Sequence, residues 1–129
     1  MNALSGYIEV TLGDYVLPFK FGSNAYGLFC AMHKIEFWEL SESGIFGKVE
    51  DGVMTKPPDY TKLRDLFFCA HQAAMRSKGE QEMVNLFLFG DLLDETEGAV
   101  EKLQEAVIQA KMMGFTLSEL AKGNEVKKK

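Results

Sequence analysis

The stretch that decides the fold runs from Tyr7 to Phe21, Tyr7-Ile8-Glu9-Val10-Thr11-Leu12-Gly13-Asp14-Tyr15-Val16-Leu17-Pro18-Phe19-Lys20-Phe21. Two runs rich in β-branched and aromatic residues flank Gly13-Asp14, a dipeptide suited to the two-residue turn of a hairpin. Pairing Leu12 with Tyr15 sets Val10 opposite Leu17 and Ile8 opposite Phe19. Ile8, Val10, Leu12, Tyr15, Leu17 and Phe19 then share one face. The same register puts Pro18 opposite Glu9 at a non-hydrogen-bonded pair, where the N–H that proline lacks would have pointed away from the partner strand. A slip of one residue breaks both agreements.

Working outward, Gly22 and Ser23 end the hairpin, and Ser23 or Asn24 is positioned to cap a helix running to about Leu40. Leu28, Ala31, Met32, Ile35 and Trp38 form one stripe at helical spacing and are expected to face inward. Tyr26, His33 and Phe37 lie on the opposite side, so a second face of this helix also needs cover, from the same domain or from another molecule. Ser41 to Pro58 reads as a long connection broken by Gly44, Gly47, Gly52, Pro57 and Pro58, with Ile45-Phe46 as an anchor.

Asp59 is placed to cap a second helix, with Leu63, Leu66, Phe67, Ala70 and Ala74 on its inner stripe and its end near Ser77-Lys78-Gly79. Between Glu80 and Leu93, Leu86-Phe87-Leu88-Phe89 fits a short buried strand, whereas Met83, Leu86, Phe87, Gly90 and Leu93 fit a helix. We read a helix, with Glu80 and Glu82 at its positive end. Asp94 or Thr96 opens the last long helix, striped by Val100, Leu103, Val107 and Ala110, with Gly114 at its C-terminal cap. Thr116 and Glu119 have the spacing of a capping box for one more short turn before Gly123.

These elements make a mainly α fold, a small N-terminal β-hairpin (7–21) followed by a compact bundle of about four helices. A single domain is expected over 1–122, with a flexible Lys-rich tail over 123–129. The 129 residues, 47% hydrophobic and 26% charged, are ordinary for one soluble domain. Phe (10) outnumbers Tyr (4) and Trp (1), and Met adds 7 deformable apolar side chains. That surplus suits either a Phe-rich core or an adaptable contact surface.

The net charge of −5 argues against nucleic acid as a partner, since the only dense basic run is Lys127-Lys128-Lys129. No apolar run approaches the roughly 18 residues of a membrane span, and Met1 to Gly6 lacks a signal-peptide pattern. Cys30 and Cys69 are too few for a disulfide framework and read as reduced core thiols.

Cys30, His33, Cys69 and His71 are the one set worth testing for zinc. Cys69 and His71 stand two residues apart, about 200° around a helix, and cannot share an ion. No nucleophile turn, oxyanion-hole motif, Walker loop or Gly-x-Gly-x-x-Gly accompanies them. The carboxylates Glu9, Asp65, Asp91, Asp94, Glu95 and Glu97 fall at caps or on polar faces. The chain is therefore expected to be no enzyme and to carry no cofactor or metal.

The order of elements, Gly13-Asp14-Tyr15-Val16-Leu17-Pro18-Phe19-Lys20-Phe21-Gly22 leading through Ala25 into a helix, then Asp59-Tyr60-x-x-Leu63 to Ala74 and a final helix ending near Gly114, resembles the tail assembly chaperones of long-tailed bacteriophages, in their short, pre-frameshift form. The resemblance implies a protein of the host cytoplasm that binds the tape measure protein, keeps its apolar helix soluble and helps recruit tail tube protein through a frameshift-extended form, and that is absent from the finished virion. Lys127-Lys128-Lys129 is compatible with a slippery codon run or with a frayed end. Self-association is a further expectation. The competing reading is a small structural virion protein, a tail-completion or head-tail connector component. Tyr26, His33, Phe37, Phe87 and Phe89 are the candidate partner contacts, taken from their apolar character and not from the family.

Overall fold

The computed structural model describes residues 4–42, 44–116 and 119. Strands β1 (Tyr7–Leu12) and β2 (Tyr15–Lys20) form the N-terminal hairpin. Its register is the one deduced above, with Leu12 opposite Tyr15, Val10 opposite Leu17, Glu9 opposite Pro18 and Ile8 opposite Phe19. Val10, Leu12, Leu17 and Phe19 are buried, and Ile8 and Tyr15 are half-buried against them. Period-2 alternation thus lays one face of the hairpin on the core.

Helix α1 (Ser23–His33) leaves the hairpin at Gly22. It is shorter than expected: Lys34 adopts the left-handed conformation (φ 55°) and its N–H bonds the Cys30 carbonyl, so the helix closes there instead of running to Leu40. A 3-10 turn over Phe37–Glu42 follows. The inward face is also corrected. Ala25, Tyr26 and Phe29 are buried; of the expected stripe Leu28 and Ile35 are half-buried against the core, while Ala31, Met32 and Trp38 are exposed. Large rings bury more apolar area than Ala31 and Met32, so the helix rotates to sink Tyr26 and Phe29.

The connection 41–58 holds structure that was not expected. Strands β3 (Lys48–Glu50) and β4 (Val53–Lys56) form a second hairpin around Asp51-Gly52, both at positive φ (54° and 78°). Positive φ at both central residues is the signature of the favoured two-residue turn. Of the Ile45-Phe46 pair expected to anchor the segment, Ile45 is buried and Phe46 is exposed.

Helix α2 (Tyr60–Ser77) is the central element, packed against α1, β2 and α3 (Leu86–Glu95). The Asp59 side chain accepts from the Lys62 N–H at 3.1 Å, the cap expected from sequence. Leu63, Leu66, Phe67, Ala70 and Ala74 are all buried, and so are Phe68, Cys69, His71 and Ala73. This helix is surrounded on more than one side.

Helix α3 is capped by Asn85, whose Oδ1 accepts from the Leu88 N–H at 2.8 Å. Residues 80–93 are therefore helical only from Leu86. Glu82 is no helix-start residue; its carboxylate instead accepts from Gln72 (2.8 Å) and Arg76 (3.2 Å) on α2. Helix α4 (Ala99–Gln109) starts after Gly98, not at Asp94 or Thr96, and returns to β1 with Leu103, Val107 and the following Ala110 buried.

Gly114 caps no helix. It sits in the turn of a third small hairpin, β5 (Lys111–Met112) with β6 (Phe115–Thr116). Thr116 and Glu119 do form a capping box, with Thr116 N–H to Glu119 Oε1 at 3.0 Å and Glu119 N–H to Thr116 Oγ1 at 3.2 Å. The short turn expected before Gly123 and the tail 123–129 lie outside the described residues.

Two polar contacts tie these layers together. His71 is fully buried, and its ring bridges Pro18 on β2 and Met83 before α3. His33 at the end of α1 meets Asp65 of α2 at 2.9 Å, and Asp65 also accepts from Arg64 Nε (3.0 Å) and Nη2 (2.8 Å). His71 and Asp65 thus have the partners that burial of a titratable group requires.

Candidate partner-binding surface

The five residues expected to touch a partner separate into core and surface. Phe89 is fully buried, its ring 5.8 Å from Phe19 and 5.7 Å from Phe68. Tyr26 is also buried, edge-on to Phe37 at 6.2 Å. Its hydroxyl has no hydrogen-bond partner among the described residues, and burial pushes its pKa well up. Neither residue presents surface, so both are withdrawn as contacts. His33 is half-buried, its ring tilted against that of Phe29 with centroids 4.4 Å apart, and bonded to Asp65. Phe37 is 42% exposed and Phe87 is 79% exposed. Phe87 and Phe89 differ because two residues on a helix point about 200° apart, and only one can face the core.

Phe87 is the lip of a groove formed by α2, α3 and α4. Leu63, Phe67, Leu93 and Val100 supply its apolar walls, and Tyr60, 64% exposed, stands with Phe87 at the rim. The groove encloses about 290 Å³. Gly90 allows α3 to lie close to α2 here, since a Cβ at that position would come within 3.1 Å of Arg64 Cδ.

Three charged side chains line the groove: Arg64, Asp91 and Asp94. The Arg64 guanidinium is held on Asp65. Asp91 and Asp94 have no hydrogen-bond or ion-pair partner among the described residues. The groove is therefore of mixed character, with apolar walls from Leu63, Phe67, Leu93 and Val100 and two carboxylates along its α3 side.

Tyr60, Asp91, Asp94 and Val100 were not singled out as contacts from sequence. A signal existed for Tyr60, because Tyr60, Leu63 and Phe67 continue the stripe of α2 one turn toward its start. For Asp91 and Asp94 it was their spacing, four and seven residues after Phe87 on one helix face.

The chemistry considered for Cys30, His33, Cys69 and His71 finds different partners. The Nδ1–H of His71 donates to the Pro18 carbonyl at 2.9 Å, and Nε2 accepts from the Met83 N–H at 3.1 Å. Both ring nitrogens are used, and burial lowers the His71 pKa more than its backbone bond to Pro18 raises it. Cys69 is buried, its thiol pushed up to about 12 chiefly by desolvation, and Cys30 is half-buried. Such thiols are poor nucleophiles. Among the described residues no three His, Cys, Asp or Glu side chains are gathered as a metal site, and no helix is long and apolar enough to cross a membrane.

Comparison of the chain with protein-family models, with curated proteins and with solved structures finds no match.

Proposed function

We propose that this chain is a non-catalytic holder of apolar helical segments of another protein, and specifically a phage tail assembly chaperone. In this reading it coats the tape measure protein in the host cytoplasm and helps bring tail tube protein to it. The observation that carries the reading is the groove walled by Leu63, Phe67, Leu93 and Val100, with Phe87 exposed at its lip. Phe87 and Tyr60 are both exposed on this groove, and together with its apolar walls they form a contiguous patch, which is what marks a contact surface. The support for the phage assignment is the hairpin motif from Gly13 to Gly22 and the order of elements after it.

The histidines and thiols add to the non-catalytic half of the reading. His71 is fixed by two backbone groups and His33 by Asp65. Neither is held against a nucleophile, as general-base catalysis needs.

The test is affinity capture of the chain co-expressed with a tape measure protein from the same genome, together with mass spectrometry of purified particles. Capture of the tape measure protein with the chain missing from particles is the expected result. Stoichiometric presence in particles would favour the structural virion protein.

A further inference from the structure

The groove restricts what the partner can be. We infer that the cleft between α2, α3 and α4 receives the apolar stripe of an amphipathic helix whose flanks carry lysine or arginine; this deepens the reading above and rests on it.

Three features lead there. Helices form the groove walls, and no described strand lines it. An extended segment laid in it would leave its backbone N–H and C=O groups unpaired against apolar walls, whereas a helix satisfies them internally. Phe87, Asp91 and Asp94 follow one another on α3 over seven residues, about 10 Å, which matches roughly two turns of a docked helix. An apolar residue at the start of that line meets Phe87 and Tyr60, and cationic residues meet Asp91 and Asp94.

Charge decides among occupants. Arg64 is already bonded to Asp65, so the exposed charge at the groove is that of Asp91 and Asp94, on a chain of net charge −5. A basic flank is attracted and an acidic one repelled. A second copy seated symmetrically through this groove would bring its Asp91 and Asp94 toward the same two carboxylates, which opposes pairing.

The test uses the full chain and a synthetic helical peptide of about 18 residues, with leucines on one stripe and lysines beside it. Its control carries glutamates in place of the lysines. Amide chemical-shift perturbations on the labelled wild-type chain are expected to cluster on α2, α3 and α4 around Phe87. The glutamate peptide is expected to bind about tenfold more weakly or worse, as are Phe87→Ser, Tyr60→Ser and Asp91→Lys/Asp94→Lys with the lysine peptide.

Perturbations centred on Phe37 and Trp38 would overturn the inference. So would equal affinity for the two peptides, a dimer of the free chain lost on Phe87→Ser, or binding that strengthens when residues 123–129 are removed, which would make the chain's own tail the occupant. If the groove binds the lysine peptide but the tape measure protein is not captured, the functional reading fails and the groove stands. Capture undiminished by Phe87→Ser and Tyr60→Ser means the groove fails and the functional reading stands.

Discussion

The Nδ1–H of His71 donates to the carbonyl of Pro18, 53 residues earlier, across 2.9 Å. The bond exists because of the hairpin register. At a non-hydrogen-bonded pair the carbonyl of Pro18 points away from β1, toward α2, where it would be buried without a donor. His71 fills that need and turns its other nitrogen to the Met83 N–H. A neutral ring with its proton on Nδ1 serves both partners; a protonated one has no acceptor left for Met83.

This arrangement predicts a pH dependence. Burial depresses the folded-state pKa of His71 below its ordinary value of about 6.5. The unfolded chain then binds more protons than the folded one once the pH falls below about 6.5, and stability declines from there toward the folded-state pKa. Urea unfolding at pH 7.5, 6.5 and 5.5 should show this loss. His71→Ala should cost about 2–3 kcal/mol at pH 7.5 by orphaning both backbone groups, and should flatten the decline between pH 6.5 and 5.5.

Phe87 and Phe89 form a matched pair for separating folding from binding. Phe89 packs between Phe19 and Phe68, and Phe89→Ala should cost about 3–5 kcal/mol. Phe87→Ser removes an exposed ring and should change stability by no more than about 0.5 kcal/mol. Chemical denaturation measures both. The first should yield a weakened fold, the second a normal fold that holds its partner poorly.

Two glycines should respond in opposite directions. Gly6 has φ +76°, and a Cβ there would lie 2.7 Å from both Ala110 Cβ and the Phe21 carbonyl, where β1 and the end of α4 meet. Gly6→Ala should destabilise by about 2 kcal/mol or more. Gly27 lies within α1, and a Cβ added there would meet nothing within 4 Å. Gly27→Ala should therefore stabilise by about 0.5–1 kcal/mol. Thermal melts of the two variants read out the contrast.

How much of this was legible in the sequence depended on how many constraints met at one place. The first hairpin was readable in full because alternation, the Gly13-Asp14 turn and the position of Pro18 all required one register. Asp59 and the stripe of α2 were readable for the same reason. Helix α1 misleads because it is apolar around most of its circumference, so periodicity favours the face of Met32 over that of Tyr26 and Phe29. Its early end at Lys34 rests on a left-handed lysine, which composition does not announce. The second hairpin did carry a signal, Asp51-Gly52 between Val49 and Val53, but five Gly and Pro breakers in the same segment make that dipeptide look like one more loop residue pair. At the candidate site the sequence offers Phe87 and Phe89 alike and does not tell the exposed ring from the buried one; the groove comes from three helices brought together, and no local pattern encodes that.

In the proposed role this chain keeps an apolar helical partner in solution. That role is tested most directly by the fraction of tape measure protein recovered in the supernatant when the two are co-expressed, for the wild-type chain and for Phe87→Ser at equal expression. Mostly soluble tape measure protein is expected with the wild type, and a marked loss with Phe87→Ser, whose own solubility is unchanged. Tape measure protein that is equally insoluble with and without the wild-type chain would contradict the proposed role.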